Sequence, residues 1–523
     1  MLPGAQPVAF SPVGGAGILP TGLAGPAPVG FSDRGWTGEP SDTIWPNRHF
    51  SPRVEQPLSL SRSIPISPLD QQRVVPTSAT QSFLNGDGGL DDMISVMAID
   101  GRDVEVKIGA PLYDGSQFQT LFKGTAGGWR CADKGRIELT LRDLVWPLDK
   151  PIQKNRYGGT GGLDGTPDLA GVPKPLAFGR PLNIELKLID PVNLIYQFHD
   201  GSAGGVLNCY VNAAPLTQAG DVADILLAAP AAGFYSTQLS GGYVRLGASP
   251  DGIVTADVIG DNKWGVTPLN TADVVYRILR DRLDLSDGLM DGPSFTALAL
   301  AWPGVIGLYI PAENAGAVQT LNRLLGPVLG FMVHGRTGTL RVGSLALSML
   351  SGINATTPKA TLDDKDSIEV TLMDVPDTLN PPFWRVQVGW GLNWTPMSAQ
   401  DIAGVIIDTQ PERYQFLTSP ARYVKSEDAA IQIRHPQAQD IYVDSLFVEQ
   451  AEALRLAEII IANHGRMPML ARVACQSQGY LLENNDVIRV DNPRYGLSGG
   501  RPVVVITVEL DVQMRASSLV VMW

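Results

Sequence analysis

Short segments in which every second residue is apolar recur along this chain, and they constrain its fold more than any other feature. The segment Asp103–Ile108 places Val104, Val106 and Ile108 on one face and Asp103, Glu105 and Lys107 on the other; Arg136–Arg142 repeats this with Ile137, Leu139 and Leu141. A period of two is the spacing of a strand buried on one side, so these segments predict half-buried antiparallel strands. Residues 183–190 alternate with Ile184, Leu186 and Leu188, and residues 385–394 with Val386, Val388, Trp390, Leu392 and Trp394. Residues 508–515 alternate with Val508, Leu510, Val512 and Met514, while residues 503–508 are nearly all apolar, as a strand covered on both sides would be.

Helical spacing is confined to a few places. Val274, Val275, Ile278 and Leu279 recur at helical intervals behind Asn270 and Thr271, either of which can cap the free amides. A second helix is predicted over residues 315–325, stopped by Gly326-Pro327, and a hairpin follows through Gly335-Arg-Thr-Gly338. Together these make a small α+β module. A long amphipathic helix is predicted over residues 444–463, with Leu446, Ala453, Leu456, Ala457 and Ile460 on one stripe and Gly465 as its stop.

At 523 residues the chain exceeds what one core usually fills, and three or four domains are expected. Residues 1–78 hold thirteen of the forty prolines. That composition favours an extended arm, yet Phe31, Trp36, Trp45 and Phe50 are many aromatics for an inert linker. The segment is either ordered along a neighbouring surface or disordered, two readings that limited proteolysis separates.

Little in the chain points to chemistry. No G-x-S-x-G elbow, H-E-x-x-H, Walker loop or paired-cysteine zinc signature occurs, and the five histidines lack metal-ligand spacing. No metal, cofactor or catalytic residue is assigned. The loop after Asn85 lacks the closing bidentate glutamate of a calcium site and reads as an Asx-type turn. The glycine-rich run Gly158-Gly-Thr-Gly-Gly162 lacks the frame of a phosphate cradle and reads as a flexible loop. His199 beside Asp200 reads as a surface pair at a strand end, and Trp390 with Trp394 as core material, a sugar-stacking platform being the alternative. Cys131, Cys209 and Cys475 are far apart and odd in number, which suits a reducing cytosol without disulfides. The formal charge of −13 argues against gripping nucleic-acid phosphates or anionic lipid. No basic region precedes an apolar run at the amino terminus, so no secretory signal is expected.

The order of elements carries a resemblance. The run Gly179-Arg-Pro-Leu-Asn-Ile-Glu-Leu-Lys-Leu-Ile-Asp190 with Leu194-Ile-Tyr-Gln-Phe-His-Asp-Gly201, and Val244-Arg-Leu-Gly247 before Asp251-Gly-Ile-Val-Thr-Ala-Asp257, resemble the middle region of siphophage tail-tip and tail-hub proteins. Asp491-x-x-Arg494-Tyr-Gly-Leu497-x-x-Gly500 ahead of two closing strands is similar to their carboxyl-terminal part. The resemblance spans most of residues 80–523 and extends to contractile-phage baseplate hubs and type VI secretion spikes.

It implies a β-rich α+β, multidomain hub: an arm over residues 1–78, a first tail-tube-like β-barrel over 79–150, a β-rich connecting domain over 151–262, the α+β module over 263–360, and a second tube-like barrel over 361–523 that carries the long helix. It implies a non-enzymatic structural virion protein, assembled in the host cytoplasm and placed at the tail tip. Such a hub closes the tail tube, joins it to distal proteins and opens for DNA ejection. The implied partners are further copies in a trimer, distal tail or tail-tube proteins, a tape-measure protein and a central fibre or receptor-binding protein. DNA would pass without specific binding, and no membrane insertion is expected. Phe31, Trp36, Trp45, Arg494 and Tyr495 are the expected assembly contacts. A tail-tip cell-wall hydrolase or polysaccharide depolymerase, and a hexameric distal-tail ring, are the alternatives.

Overall fold

The computed structural model describes residues 8–10, 29–133, 135–345, 357–363, 367–511 and 516–523. The alternating segments assemble into a sheet of fifteen strands that draws on both ends of the chain. Its order runs from Ser367–Met373 through Leu470–Cys475, Ala516–Met522 and Arg501–Asp511 to Val54–Ser63. It continues through Ser78–Leu84, Arg136–Arg142, Gln119–Asp133 and Asp103–Ile108 to the short strands around Trp36. Val487–Val490 joins the side of this path, pairing with both Arg501–Asp511 and Thr361–Leu362.

The junction between the two β-rich regions is the pairing of Arg501–Asp511 with Val54–Ser63, in which Leu510 lies opposite Leu60 and Thr507 opposite Ser63. Alternation puts the apolar members of both regions on one face, so they share one core. Leu60, Phe83, Val104, Val106, Leu139 and Leu141 meet Val473, Ile488, Val505, Val508, Leu519 and Val521 there. Each such side chain contributes roughly 1.5–3 kcal/mol by leaving water. The strand over residues 503–508 is covered on both sides as expected: Val503 and Val505 face this core, while Val504 and Ile506 pack with Phe331 and Val333 on the other. Val512 and Met514 lie outside the described residues.

This arrangement differs from two separate barrels. Among the described residues no sheet closes on itself, and both regions belong to one open sheet. The Pro-rich opening differs from an arm as well. From Val29 onward its described residues supply strands, including Val54–Ser63 in the middle of the large sheet. Alternating Leu58 and Leu60 commit this segment to the core despite its proline content.

The centre is the α+β module. Thr271–Arg277 is capped by the Asn270 side chain, which accepts from Asp273 N at 3.0 Å, and Ala317–Leu325 ends at Gly326-Pro327. The hairpin pairs Gly330–His334 with Leu340–Ser344. Gly292–Ala301 is a helix that sequence periodicity did not reveal, because its apolar residues are spread around the whole cylinder. The long helix begins later than residue 444, at Gln450, and runs to His464. It packs into the central core with Val386, Val388, Ile441 and Val443, and so supports the three-stranded sheet of Phe383–Trp390, Arg422–Glu427 and Gln439–Val443. Leu446 is buried, but on extended chain ahead of the helix.

The connecting region holds two further sheets. Residues 183–190 split between them: Ile184–Glu185 pairs with Val254–Asp261, and Lys187–Asp190 pairs with Ile195–Gln197. The switch at Leu186 shifts the alternation by one residue. Ile189 is therefore buried and Leu188 exposed, the reverse of what strict alternation predicts. At the end of Leu176–Gly179, Gly179 lets the chain pass close to Ile306, since its φ is +64° and a Cβ there would lie 1.9 Å from Ile306 O. Among the described residues no helix is long and apolar enough to cross a membrane.

Candidate functional site

Trp36, Trp45, Phe50 and Phe118 form an aromatic nest at one end of the large sheet, with ring centroids 5.0–5.8 Å apart in edge-to-face contact. Such pairs add to the area they bury. The Trp36 indole donates to Pro111 O at 3.1 Å. The Asp42 carboxylate accepts from Trp45 N at 2.6 Å and Gly115 N at 2.7 Å, tying the opening segment to the loop before Phe118. Phe31 packs edge-to-face on Phe83 at 5.3 Å in the main core. The structure thus places Phe31, Trp36 and Trp45 inside the chain's own cores.

Arg494 and Tyr495 sit on the turn after Val487–Val490. Leu497 anchors the turn in the core, Asp491 accepts from Gly499 N at 3.0 Å, and Asn492 accepts from Arg494 N at 3.0 Å. Tyr495 adopts φ +59°, a conformation that side chains rarely take, and Arg494 lies 4.9 Å from its ring. Arg494 is exposed, while Tyr495 is half-buried and packs against the main core.

His199 and Asp200 are buried or half-buried rather than a surface pair, because a second strand layer and the helix after Asn270 cover them. Ala177 N donates to His199 Nδ1 at 3.1 Å, which leaves the proton on Nε2, 3.6 Å from Asp261 Oδ2. Arg277 pairs with Asp261, and Arg282 donates to Asp200 at 3.0 Å. Burial lowers the affinity of His199 for a second proton. Burial alone would raise the Asp261 carboxyl, but His199, Arg277 and Arg282 hold it below its ordinary value. The geometry of the group is that of a bolt between the connecting sheets and the central helices.

A second bolt crosses from the large sheet to the hairpin. Arg62, 2% exposed, donates to Glu483 at 3.0 Å, and Arg336 and Arg341 approach the same carboxylate at 3.8 and 3.7 Å. Asn484 donates to Arg62 O at 3.0 Å and Ile506 O at 2.7 Å, fixing the junction of the two β-rich regions from the side. The sequence gives no signal for either bolt, since their members lie up to 421 residues apart.

The glycine-rich loop is closed by Asp164, which accepts from Gly158 N at 2.9 Å and Thr160 Oγ1 at 2.8 Å. Asp87 pairs with Arg53 at 2.8 Å, and Asp87 Oδ1 accepts from Gly89 N at 3.1 Å, the bond that closes an Asx-type turn. Among the described residues no three His, Cys, Asp or Glu side chains are grouped to hold a metal ion. Cys131 is exposed and Cys209 and Cys475 are buried, the last with its Sγ 3.2 Å from Ser517 Oγ.

A cleft of about 600 Å³ opens between residues 185–187 and 308–315, with Arg323 and Trp394 in its lining. Trp394 does not continue the alternation of residues 385–394, because the strand ends at Trp390 and Gly391 turns at φ +55°. It packs edge-to-face on Tyr309 at 6.1 Å, with the Arg323 guanidinium 4.6 Å from its ring. Trp390 is stacked in the same way by Arg422 at 3.8 Å.

No protein-family model matches the chain, and no curated protein matches it. Solved structures similar to it include three tail proteins. A tail protein from Neisseria meningitidis MC58 is 12% identical with a TM-score of 0.39, covering 90% of this chain and 92% of that one. The 43 kDa tail protein of prophage MuSo2 from Shewanella oneidensis is 9% identical with a TM-score of 0.40, covering 91% and 95%. Prophage tail protein gp18 from Listeria monocytogenes EGD-e is 6% identical with a TM-score of 0.37, covering 91% and 90%.

Proposed function

We propose that this chain is a structural subunit of a long-tailed bacteriophage, a hub at the tail tip that closes the tube, joins it to distal proteins and opens for DNA ejection. The sequence motifs quoted above suggest the hub. The observation that carries the reading is the junction of Val54–Ser63 with Arg501–Asp511, by which two β-rich regions distant in sequence share one sheet and one core. A wall that must hold its shape around a conduit needs hydrogen bonding without a seam. In a trimer the two regions of each chain would stand in the places of tube-like units, with the connecting sheets and central module outside them. Arg494 and Tyr495, displayed on their turn, are the contact proposed between neighbours. The tape-measure protein, the tail tube and a central fibre are the partners this position requires, and an acidic surface lets DNA pass without holding it. Mass measurement of the assembled ring tests the stoichiometry: three copies are expected, and six would favour a distal-tail ring.

A further inference from the structure

Arg323 is the member of the cleft whose bonding is incomplete. It projects from the helix Ala317–Leu325 and stacks on Trp394, yet makes no hydrogen bond or ion pair with another described residue. Asp444 contributes a favourable field from beyond ion-pair distance, and partial desolvation against the cleft wall lowers the guanidinium's affinity for a proton although the side chain stays open to water. A planar guanidinium with open donors is matched by a carboxylate, which accepts two parallel bonds from it. Trp394 adds a second unmet group, since its indole N–H is shielded from water without an acceptor. Glu185 and Glu313 also line the cleft and repel a carboxylate; Lys187 lines it too, and Arg323 is the cation that lies beside Trp394.

The walls fit a peptide. One wall is the strand Gly307–Ile310, which pairs on one side with Leu176–Gly179; the amide of Ala177, opposite Tyr309, points away to His199. Tyr309 and Ala177 therefore form a non-hydrogen-bonded pair, and the Tyr309 backbone groups face the opposite edge, beyond the point where Gly307 N donates to Leu446 O at 2.9 Å. The volume lies in the range of sites that enclose a small ligand.

We infer that the cleft between residues 185–187 and 308–315 binds an extended peptide segment of a partner protein, with one side-chain carboxylate of that segment seated on Arg323 beside Trp394. This does not depend on the tail reading.

The test uses the full chain and a library of acetylated octapeptides with a central glutamate and the other positions randomised. Enriched peptides are labelled and their affinities read by fluorescence anisotropy. Replacing the central glutamate by glutamine, or making Arg323→Gln, is expected to weaken binding about ten- to a hundredfold. Arg323→Lys should fall between, and Glu313→Gln should tighten binding. Arg323 is exposed on its helix, and circular dichroism establishes that the variants are folded. Equal enrichment on wild type and Arg323→Gln, binding indifferent to the glutamate, or displacement by a neutral oligosaccharide in place of peptide would each overturn the inference.

Discussion

Glu483 carries a charge balance that its neighbours cannot replace. It faces Arg62, Arg336 and Arg341, and Arg62 is buried deeply enough that desolvation lowers its pKa against the pull of Glu483. Removing one partner of a buried pair leaves the other uncompensated. Glu483→Gln should therefore cost about 3–5 kcal/mol in chemical denaturation, and the double variant Arg62→Met, Glu483→Leu should recover most of it. His464 gives a second test. It is buried against Phe383 beside Arg73, and burial followed by the Arg73 charge lowers its pKa to about 4. The unfolded chain takes a proton near pH 6.5 while the folded chain does not, so stability is lost as pH falls from 6.5 towards 4, by roughly 3 kcal/mol from this residue. Denaturation of His464→Gln across that range should show a shallower loss than wild type; parallel curves would contradict the assignment.

At the scale of elements, the pairing of Val54–Ser63 with Arg501–Asp511 makes the two β-rich regions one cooperative unit. Ser61 lies between Glu509 and Ser78 in the ladder, and Ser61→Pro removes a donor there. Hydrogen exchange should then accelerate together in residues 54–63 and 501–511; acceleration confined to the first segment would show two independent units. Trp36→Ala should cost about 3–5 kcal/mol and loosen the short strands at the end of the sheet, read by the same method. Such strands were legible where one face is buried, as in Asp103–Ile108 and Arg136–Arg142, because their period repeats without a break. Strict alternation fails at Leu186, where the chain passes from one sheet to another, and at Gly391, where the strand has ended and the backbone turns. The aromatics of the opening segment were legible as significant. That they pack on Phe118 was not, because the partner arrives from another strand. Arg323 and Trp394, 71 residues apart, meet only through the fold.

The whole molecule is an acidic chain in which one open sheet, two ionic bolts and a central helical module hold distant segments together. That construction suits a subunit whose function is its shape, repeated around an axis, and the axis proposed above is that of a phage tail. Virions carrying a gold label at the carboxyl terminus of this chain, imaged by electron microscopy, test the account most directly. Label confined to the tail tip, three copies to a particle, is the predicted result; label along the tail shaft, on the head, or absent from virions would contradict it.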